Sequence, residues 1–362
     1  MRAWSALALA VFLGLGSCAA PLARSSTEAT YINPVLDADF PDPTVIKAPD
    51  GYYYAYATQT KRNGRWINIQ LARSADLIHW QHLGEALPTK PGWASNTQDF
   101  WAPDVLRDGS RYIMYFSAKP DISDERHGLC LAVATSATPI GPFVDIGHPL
   151  KCGEGFVNID PMALDDPATG KRLLYWGSGF QPIKVQELAA DRLSFAPGSS
   201  ARDLVWPNPV KGAFPVLVEG SWATRRGGWY YLFYSGDNCC GAKANYAVMV
   251  ARSRSAEGPF QTLEQATGKP HSIVLEKQGN WLAPGHNSIA TDAAGHDWIV
   301  YHAVDARRPR EKPTDDINTR RVMLIDRIVW RNGWPSIAGP SGPRARPVSS
   351  KPRSVSEASG LR

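Results

Sequence analysis

Short aromatic stretches with alternating positions recur along the chain, and each follows a tight-turn signal. Five stretches share this pattern: "DGYYYAYAT", "DGSRYIMYFSA", "DDPATGKRLLYWGS", "RGGWYYLFYSG" and "AAGHDWIVYHA". Their turn glycines are 58, 61, 58 and 67 residues apart, at Gly51, Gly109, Gly170, Gly228 and Gly295. Alternation over about four to eight residues, bounded by turn formers, is typical of β-strands. The pattern therefore predicts a β-sheet unit that is repeated five times.

A second pattern follows the first four turns, roughly 20 residues further on. It reads "LARSADLIHW", "AVATSATPIGPF", "VQELAADRLSF" and "VARSRSAEGPF". Each unit thus supplies several short strands, and none of them shows helical periodicity. One such sheet cannot bury both of its faces alone, whereas five sheets arranged radially can do so. A two-sheet sandwich does not explain the repeated interval, so the prediction is an all-β fold, a five-bladed β-propeller.

The two ends of the chain differ from this repeat. Residues 1–24 have a basic start and a short apolar run, which is typical of an export signal and too short for a spanning helix. The sequence "LGSC" resembles a lipoprotein cleavage site that would place a lipid on Cys18; ordinary cleavage nearby is the alternative. Residues 339–362 are basic and rich in Pro and Ser, which predicts a disordered tail. The propeller is therefore assigned to residues 25–338 of an exported protein, secreted, periplasmic or lipid-anchored.

The net charge of +5 comes from these ends. Five Lys/Arg against one Glu between Arg344 and Arg362 give +4, and Arg2 and Arg24 add two, which leaves −1 for residues 25–343. A near-neutral body has no electrostatic footprint for nucleic acid. No nucleic-acid partner is expected, and contact with a membrane is expected only through a lipid at Cys18.

Polar residues recur just before the aromatic strands, among apolar residues and prolines. The five segments are "DFPDPTVI", "DFWAPDVL", "VNIDPMAL", "VLVEGSWA" and "APGHNSIA", and their polar members are Asp42, Asp104, Asp160, Glu219 and His286. A propeller brings the inner strand of every blade to a common axis. These side chains are therefore expected to meet in one pocket.

In this order the motifs "FPDPTVI", "WAPDV", "IDP", "EG" and "GHNS" resemble those of glycoside hydrolase family 43, from Asn33 to about Ile337. The resemblance implies a five-bladed propeller that hydrolyses arabinose or xylose linkages with inversion. It further implies that Asp42 is the general base, that Glu219 is the general acid, and that Asp104 tunes and orients the acid. One departure is that Ser221 follows "EG" where the family usually has Pro.

The chemistry asks for the same set of groups. An inverting glycosidase needs one carboxylate to activate water and one carboxylic acid to protonate the leaving oxygen, roughly 6.5–9.5 Å apart. A second carboxylate close to the acid raises its pKa by repulsion and keeps it protonated.

Other residues are candidates for contacts with the sugar. Phe40, Trp101 and Trp222 could stack on the apolar face of a furanose ring. Arg321 matches an arginine that points into the sugar pocket of the family, with Arg320 as the neighbouring alternative because alternation admits only one of them. Asp160 is assigned to substrate binding or to structural support.

The resemblance also bears on cofactors. No cofactor is expected to be required for the reaction, but many members of the family place a histidine near a calcium ion on the propeller axis. His286 would be that residue, and a hydrogen-bonded pocket histidine is the alternative reading. Calcium prefers oxygen ligands.

Four cysteines remain after the predicted signal. Cys130 and Cys152 flank a turn-rich stretch and are predicted to form a disulfide in an oxidising compartment. Cys239 and Cys240 are adjacent and are predicted to form either a vicinal disulfide or two buried thiols. No spacing typical of a metal site accompanies them.

The stretch "SGDNCCGAKANYAVMVARSRSAEGPF" resembles the arabinan-directed branches of the family. An oligo- or polysaccharide with α-L-arabinofuranosyl linkages, as in arabinan or arabinoxylan, is therefore the expected substrate. The alternatives are a β-xylosidase, a catalytically silent carbohydrate-binding propeller, and the related invertase-like group. Exo and endo action are both left open.

Overall fold

The computed structural model describes residues 30–122, 128–210, 214–310 and 319–342. The predicted signal at residues 1–24, the candidate lipid site Cys18 and the tail beyond residue 342 lie outside these ranges. Within the described ranges, no helix combines the length and the apolar character that crossing a membrane requires.

Most strands belong to five antiparallel sheets, each built from strands consecutive in the chain. Each sheet is termed a blade. The first blade contains β1 (Thr44–Lys47), β2 (Tyr53–Ala57), β5 (Gln70–Ser74) and β6 (Trp80–Glu85), with the hairpin β3 (Thr60–Arg62) and β4 (Arg65–Ile67) inserted after β2. The second contains β7 (Phe100–Asp108), β8 (Arg111–Ala118), β9 (Cys130–Ser136) and β10 (Val144–Asp145), and β11 (Lys151–Cys152) also pairs with β9.

The remaining three blades follow the same order. The third contains β12 (Met162–Asp165), β13 (Arg172–Trp176), β14 (Ile183–Glu187) and β15 (Arg202–Val205). The fourth contains β16 (Val218–Arg226), β17 (Trp229–Gly236), β18 (Ala247–Ser253) and β19 (Gln261–Thr262), and β20 (Ile273–Leu275) also pairs with β18. The fifth contains β21 (Trp281–Thr291), β22 (Asp297–Asp305), β23 (Arg321–Arg331) and β24 (Trp334–Ile337). A 3₁₀ helix (Gly92–Ala94) and α1 (Leu263–Thr267) lie in connections.

The first strand of each blade is the innermost one. Neighbouring inner strands contact one another in a closed sequence, from β1 to β7, β12, β16, β21 and back to β1. This is the predicted five-bladed propeller. Three blades have four strands each, and the second and fourth blades carry one short strand more.

The hydrophobic core is divided among the blade interfaces. Each of the five buried clusters draws side chains from two adjacent blades. Between the first two blades, for example, Tyr56 of β2 lies in the same cluster as Phe100 of β7. Fully burying an aliphatic or aromatic side chain stabilises a fold by roughly 1.5–3 kcal/mol. The aromatic strands of the repeat therefore hold the blades to one another as well as forming them.

The segment before β1 closes the ring on the last blade. The Val35 N–H donates to the Met323 carbonyl at 3.0 Å, and Asn33 Nδ2 donates to the Ile325 carbonyl at 2.8 Å. The Tyr31 hydroxyl donates to Asp326 Oδ1 at 2.7 Å. Residues from the start of the described chain thus lie beside β23, a strand near the end of the described chain.

Both cysteine pairs are disulfides in the structure. Cys130 and Cys152 face each other on β9 and β11 with a Cα–Cα distance of 4.1 Å. This is the predicted disulfide, and it joins two neighbouring strands. Cys239 and Cys240 form a vicinal disulfide, which was one of the two alternatives.

Candidate active site

A cavity of about 1210 Å³ lies where the inner strands begin. Its lining includes four of the five polar residues singled out in the repeated segments, together with one basic residue of β23. They are Asp42, Asp160, Glu219, His286 and Arg321. The expected meeting of distant motifs at one pocket is thus observed for these residues.

Each blade has a residue with left-handed backbone geometry within its inner strand or just before it, at or beside this cavity. The φ angles are 56° at Asp42, 45° at Ala102, 58° at Asp160, 60° at Gly220 and 46° at His286. Such angles are uncommon outside glycine. At the four positions other than Gly220 they cost of order 1–3 kcal/mol each and persist only where the surrounding structure fixes them. The repeated kink turns the polar side chains towards the axis.

Side chains from the preceding blade hold four of these kinks. The Ala102 N–H donates to Thr58 Oγ1 at 2.7 Å, and the Asp160 N–H donates to Ser117 Oγ at 3.1 Å. The His286 N–H donates to Ser235 Oγ at 2.8 Å. The ring is completed by the Asp42 N–H, which donates to Nδ1 of His302 in the fifth blade at 3.1 Å.

The kink of the fourth blade is held differently. The equivalent position on the third blade is Gly177, whose N–H pairs with Ile159 just before the kink at Asp160. A Cβ at Gly177 would lie 2.9 Å from the Pro182 carbonyl oxygen, so no side chain fits there. The Gly220 N–H instead donates to Asp160 Oδ2 at 3.0 Å. A carboxylate therefore replaces the hydroxyl or imidazole of the other junctions.

Asp42 lies in a site that favours its ionised form. Arg321 Nη1 donates to Asp42 Oδ1 at 2.9 Å, and the Thr58 hydroxyl donates to Oδ2 at 2.6 Å. Burial by itself would raise the pKa of Asp42, but the positive charge of the Arg321 guanidinium opposes this, and the pKa lies well below its usual value. Asp42 is therefore a carboxylate near neutral pH, as a general base must be.

Glu219 lies in a site of the opposite kind. It is buried beside the kink at Gly220, and both of its oxygens accept hydrogen bonds, one from the Ser178 hydroxyl and one from the Tyr246 hydroxyl. Burial raises the pKa of Glu219, these two hydrogen bonds lower it, and the negative charge of Asp42 raises it; the net direction is upward. Glu219 thus keeps a proton to higher pH than an exposed glutamate.

Asp160 stands between these two groups. Its pKa is raised well above the usual value, first by burial and then by the negative charges of Glu219 and Asp42. His286 Nδ1 lies 3.8 Å from Asp160 Oδ2 and 3.4 Å from Asp42 Oδ1. Three carboxyl groups that repel one another are therefore buried in one cavity, and this repulsion helps to keep a proton on the pair Asp160–Glu219.

The two histidines of the site are neutral near pH 7. Burial lowers the pKa of His286 despite the neighbouring Asp42 carboxylate, and burial lowers that of His302 to about 4. Arg321 is therefore the fixed positive charge next to Asp42. Neutral imidazoles here position groups and do not supply charge.

The donors around His286 do not fit a calcium site. Calcium takes about six to eight oxygen ligands. Among the described residues, no three His, Cys, Asp or Glu side chains are grouped so that they could hold an ion. His286 Nδ1 faces carboxylates that are already engaged with Arg321 and with the Gly220 N–H. The axial calcium ion stays a prediction from the resemblance, and no step below uses it.

The prediction that Asp104 lies beside the acid is wrong in this structure. Ala102, two residues earlier, occupies the kink that Asp42 and Asp160 occupy in their blades. The Asp104 carboxylate instead accepts the Thr44 hydroxyl at 3.0 Å and the Ala163 N–H at 2.8 Å. Burial raises its pKa to about 6, although both hydrogen bonds oppose this. Asp104 is absent from the described residues that line the cavity and links the inner strands of the first and third blades.

The aromatic candidates divide in the same way. Trp101 lines the cavity as predicted. Phe40 does not, because it is fully buried in the cluster between the fifth and first blades. Trp222 also lies outside the described cavity lining, since it packs against the clusters on both sides of the fourth blade. Of the two arginines, Arg321 reaches Asp42 while Arg320 is buried and donates to Asp37.

Four residues that contact the candidate carboxylates were missed by the sequence analysis. Thr58 and His302 contact Asp42, and Ser178 and Tyr246 contact Glu219. Thr58 in "YAT" and Ser178 in "WGS" stand just after the second strand of their blades, and His302 in "YHA" lies within the second strand of the fifth blade. A polar residue one or two positions after an aromatic residue recurs in these repeats, and this pattern could have identified them. Tyr246 had no such signal, because it follows a loop.

The arrangement can run acid and base chemistry together. One carboxyl group has a lowered pKa and another has a raised pKa, and both face one cavity. Environments that push the pKa values of two groups apart assign the base and the acid. A carboxylate that activates water and a carboxylic acid that protonates a leaving oxygen are what hydrolysis of a glycosidic bond with inversion requires.

Comparisons with known proteins agree with this chemistry. The family model described as Glycosyl hydrolases family 43 matches residues 31–335. The probable arabinan endo-1,5-α-L-arabinosidase A of Aspergillus flavus is 28% identical, over 89% of this chain and 98% of that protein. The extracellular endo-α-(1→5)-L-arabinanase 1 of Bacillus subtilis is 27% identical, over 82% of this chain and 86% of that protein. A crystal structure described as a thermostable family-43 glycoside hydrolase is similar with a TM-score of 0.68 and 27% identity, over 88% of this chain and all of that one.

Proposed function

The chain belongs to glycosyl hydrolases family 43 and is a glycosidase, and we propose that it hydrolyses α-L-arabinofuranosyl linkages of arabinan with inversion. The observation that carries the reaction type is the pair of carboxyl groups with opposite pKa shifts in one cavity. The substrate rests on the arabinan-directed names of the relatives. The name "extracellular" of the Bacillus subtilis relative supports export of this chain as well.

In the proposed reaction Asp42 takes a proton from water while the water oxygen attacks the anomeric carbon. Glu219 gives its proton to the glycosidic oxygen, the bond to the leaving sugar breaks, and the configuration is inverted. Asp42 ends protonated and Glu219 ends ionised, and exchange with solvent restores both. Arg321 supports this division by holding Asp42 ionised before attack.

We assign to Asp160 the role that the family resemblance implied for Asp104. Its Oδ2 accepts from the Gly220 N–H, one peptide away from the acid. The negative charge of Glu219 raises the pKa of Asp160, so the two groups repel each other and share a raised affinity for protons. Asp160 thereby keeps Glu219 ready to donate, and it also fixes the backbone next to it.

The large cavity favours a polymer or oligosaccharide over a single sugar. Its lining runs from Trp66 in the first blade to Cys240 in the fourth, well beyond the carboxylates. Drug-sized ligands occupy pockets of about 300–1,000 Å³. Several sugar residues therefore fit beside the reacting bond.

The deciding experiment is hydrolysis of four substrates side by side. They are an aryl α-L-arabinofuranoside, an aryl β-D-xyloside, linear arabinan and xylan. We expect activity on arabinan and its oligosaccharides, with the inverted anomer seen first by NMR. Activity on xylan and the xyloside alone would replace the proposal by the β-xylosidase alternative. Binding of arabinan without hydrolysis would favour the silent carbohydrate-binding propeller.

The role of Asp42 has its own test. Asp42→Ala should lower kcat by about 10²–10⁴-fold, the usual contribution of a general base. Because the base delivers water, added azide should restore part of the activity by attacking in its place, with a glycosyl azide as product. Loss of activity without any azide product would argue against Asp42 as the base.

A further inference from the structure

The vicinal disulfide Cys239–Cys240 lies on the lining of the candidate active site. It belongs to the loop of residues 237–246, which joins β17 to β18 in the fourth blade. Cys239 is half-buried and Cys240 is exposed. Neither the acid–base chemistry nor the packing of the blades explains why two joined sulfurs face this cavity.

The loop that carries the disulfide is held in place by its own polar groups. Asp237 Oδ1 accepts the Val216 N–H at 2.7 Å, and the Asn238 N–H donates to Asn245 Oδ1 at 3.0 Å. The Gly241 N–H donates to Thr319 Oγ1 at 2.6 Å. A surface fixed before binding loses little conformational entropy when a ligand arrives. The disulfide is therefore built as part of a preformed wall.

The position of the loop relates the disulfide to the acid. Glu219 starts the inner strand of the fourth blade, and the loop lies at the same end between the next two strands. Neighbouring strands are about 4.8 Å apart, so the loop is roughly one to two strand spacings further from the axis than Glu219. Tyr246 at the end of the loop donates its hydroxyl proton to Glu219. The disulfide thus lies outward from the acid in the same sector of the cavity.

The leaving sugar must occupy this sector. The acid protonates the oxygen of the leaving group, so the first leaving sugar lies on the side of Glu219 that is away from Asp42. The wall, roughly one to two strand spacings beyond Glu219, is then within reach of the next sugar ring. A disulfide presents two polarizable sulfurs without charge and without a demand for hydrogen bonds, which suits the C–H face of a sugar.

Resting on the proposed function, we propose that Cys239–Cys240 forms the contact surface for the first sugar on the leaving-group side. The disulfide supplies an apolar platform there, as an aromatic ring does at other sugar sites. It thereby favours a sugar over water or a small leaving group beyond the scissile bond. It takes no part in bond breaking.

The test removes the platform and varies the leaving group. The double variant Cys239→Ala/Cys240→Ala is compared with wild type on arabinotriose and on α-L-arabinofuranosyl fluoride, which places no sugar beyond the scissile bond. We expect kcat/KM on arabinotriose to fall about tenfold or more, since one lost apolar contact in a specificity pocket is typically worth about 10–200-fold. Hydrolysis of the fluoride should stay close to wild type and also shows that the variant is folded.

A positioning effect through Tyr246 would look different. If the loop acts only by holding Tyr246 on Glu219, the double variant should shift the pH profile on arabinotriose as Tyr246→Phe does. An unshifted profile supports direct contact, and a shifted profile overturns the proposal. Equal losses on arabinotriose and the fluoride would also overturn it. The variant Cys130→Ala/Cys152→Ala is the matched control, because it removes the other disulfide, which lies in the second blade.

A second measurement covers failure of the variant to fold. The variant Cys130→Ala/Cys152→Ala treated with a phosphine reductant keeps the sequence of the loop and loses only the disulfide Cys239–Cys240 among the described cysteines, and the same two substrates are then compared with and without the reductant. If wild type cleaves xylotriose but not arabinotriose, the proposed substrate is wrong. The platform is then tested in the same way with xylotriose and β-D-xylosyl fluoride.

Discussion

The junction between the third and fourth blades differs from the other four junctions around the axis. At those four, a threonine, two serines and a histidine each accept the backbone N–H of the next kink. At the fourth blade the Asp160 carboxylate accepts it, because Gly177 has no side chain to offer. The residue next to that kink is Glu219, the candidate acid. The junction that departs from the repeat is thus the one where a proton must be held.

The five junctions share one backbone geometry, but the chemical group that accepts the N–H differs between them. This difference distinguishes a contact that only supports the backbone from one that also affects the charge of the site. A hydroxyl accepts a hydrogen bond and leaves the charge of the site unchanged. A carboxylate accepts the same bond and also repels a second carboxylate nearby. Replacing one by the other places a second carboxyl group beside Glu219, and the negative charge of Glu219 raises the pKa of Asp160.

The largest expected effect is a loss of activity that distinguishes Glu219 of the fourth blade from Asp104 of the second blade. Glu219→Gln should lower kcat on arabino-oligosaccharides by about 10²–10⁴-fold, because the leaving sugar no longer receives a proton. A dinitrophenyl arabinofuranoside needs little protonation and should be affected far less. Steady-state kinetics on both substrates measure the difference, and equal losses on both would remove Glu219 from the role of acid.

Asp104→Asn is the control for that experiment. Asp104 is as buried as Glu219 but contacts Thr44 and Ala163 instead of the cavity. We expect its activity per folded molecule to stay close to wild type, with a loss only in stability. A loss of activity as large as that of Glu219→Gln would restore the reading of Asp104 as the residue that tunes the acid.

The next effect sharpens the contrast between a charged and an uncharged acceptor. Asp160→Asn keeps an oxygen for the Gly220 N–H but removes the charge, so the pKa of Glu219 should fall. Because the acid must be protonated, the alkaline limb of the pH profile of kcat/KM should move to lower pH. Ser117→Ala removes the acceptor of the Asp160 N–H without changing charge and should leave this limb in place. A shift of the same size in both variants would contradict the proposed role.

A smaller effect concerns stability at a junction of the common kind. Ser235→Ala leaves the His286 N–H without its partner, and an unsatisfied buried donor costs about 1–3 kcal/mol. Denaturant unfolding should show this loss in the free energy of unfolding. Ser136→Ala, which affects a contact in an exposed turn, should change it much less. Equal values for the two variants would mean that the Ser235 contact does not support the kink.

The last effect is confined to acidic pH and concerns the one titratable side chain among the four common junctions. The pKa of His302 is about 4 in the fold, below the unfolded value of about 6.5. The unfolded chain therefore binds this proton first, and the fold loses stability as pH falls from about 6.5 to about 4, by at most about 1.4 kcal/mol per pH unit. His302→Gln should flatten the stability curve in this window, as measured by denaturation at each pH. An unchanged slope would mean that His302 does not titrate as described.

The repeat was readable from the sequence because five aromatic strands with regular spacing leave few other ways to bury their faces. The register within the repeat was harder to read. In "DPT" and "IDP" the aspartate precedes proline, whereas in "APD" it follows proline, so Ala102 and not Asp104 occupies the kink. This shift of the aspartate by two positions relative to proline can be seen in the sequence. Its meaning depends on which residue takes the left-handed conformation.

Contacts between blades were not readable in the same way. Phe40 stands beside Pro41 and Asp42 in the chain, yet its side chain turns into the cluster between the fifth and first blades. Tyr246 reaches Glu219 across 27 residues of sequence. The local sequence pattern does not determine the direction of either side chain, because each direction depends on how the surrounding strands and blades pack.

The segment before β1 that contacts β23 also affects the order in which parts of the protein can fold. Asn33 contacts Ile325 across 292 residues, so this contact cannot form until the last blade has been synthesised. The first blades can pair locally while they wait, but the ring stays open and keeps an unpaired strand edge that can join other chains. Contacts of such long range are slow to form because the intervening chain must first be ordered. The time that a newly made chain spends prone to aggregation is therefore governed by the meeting of its two ends, and changes at Asn33 should alter the yield of folded protein before they alter its activity.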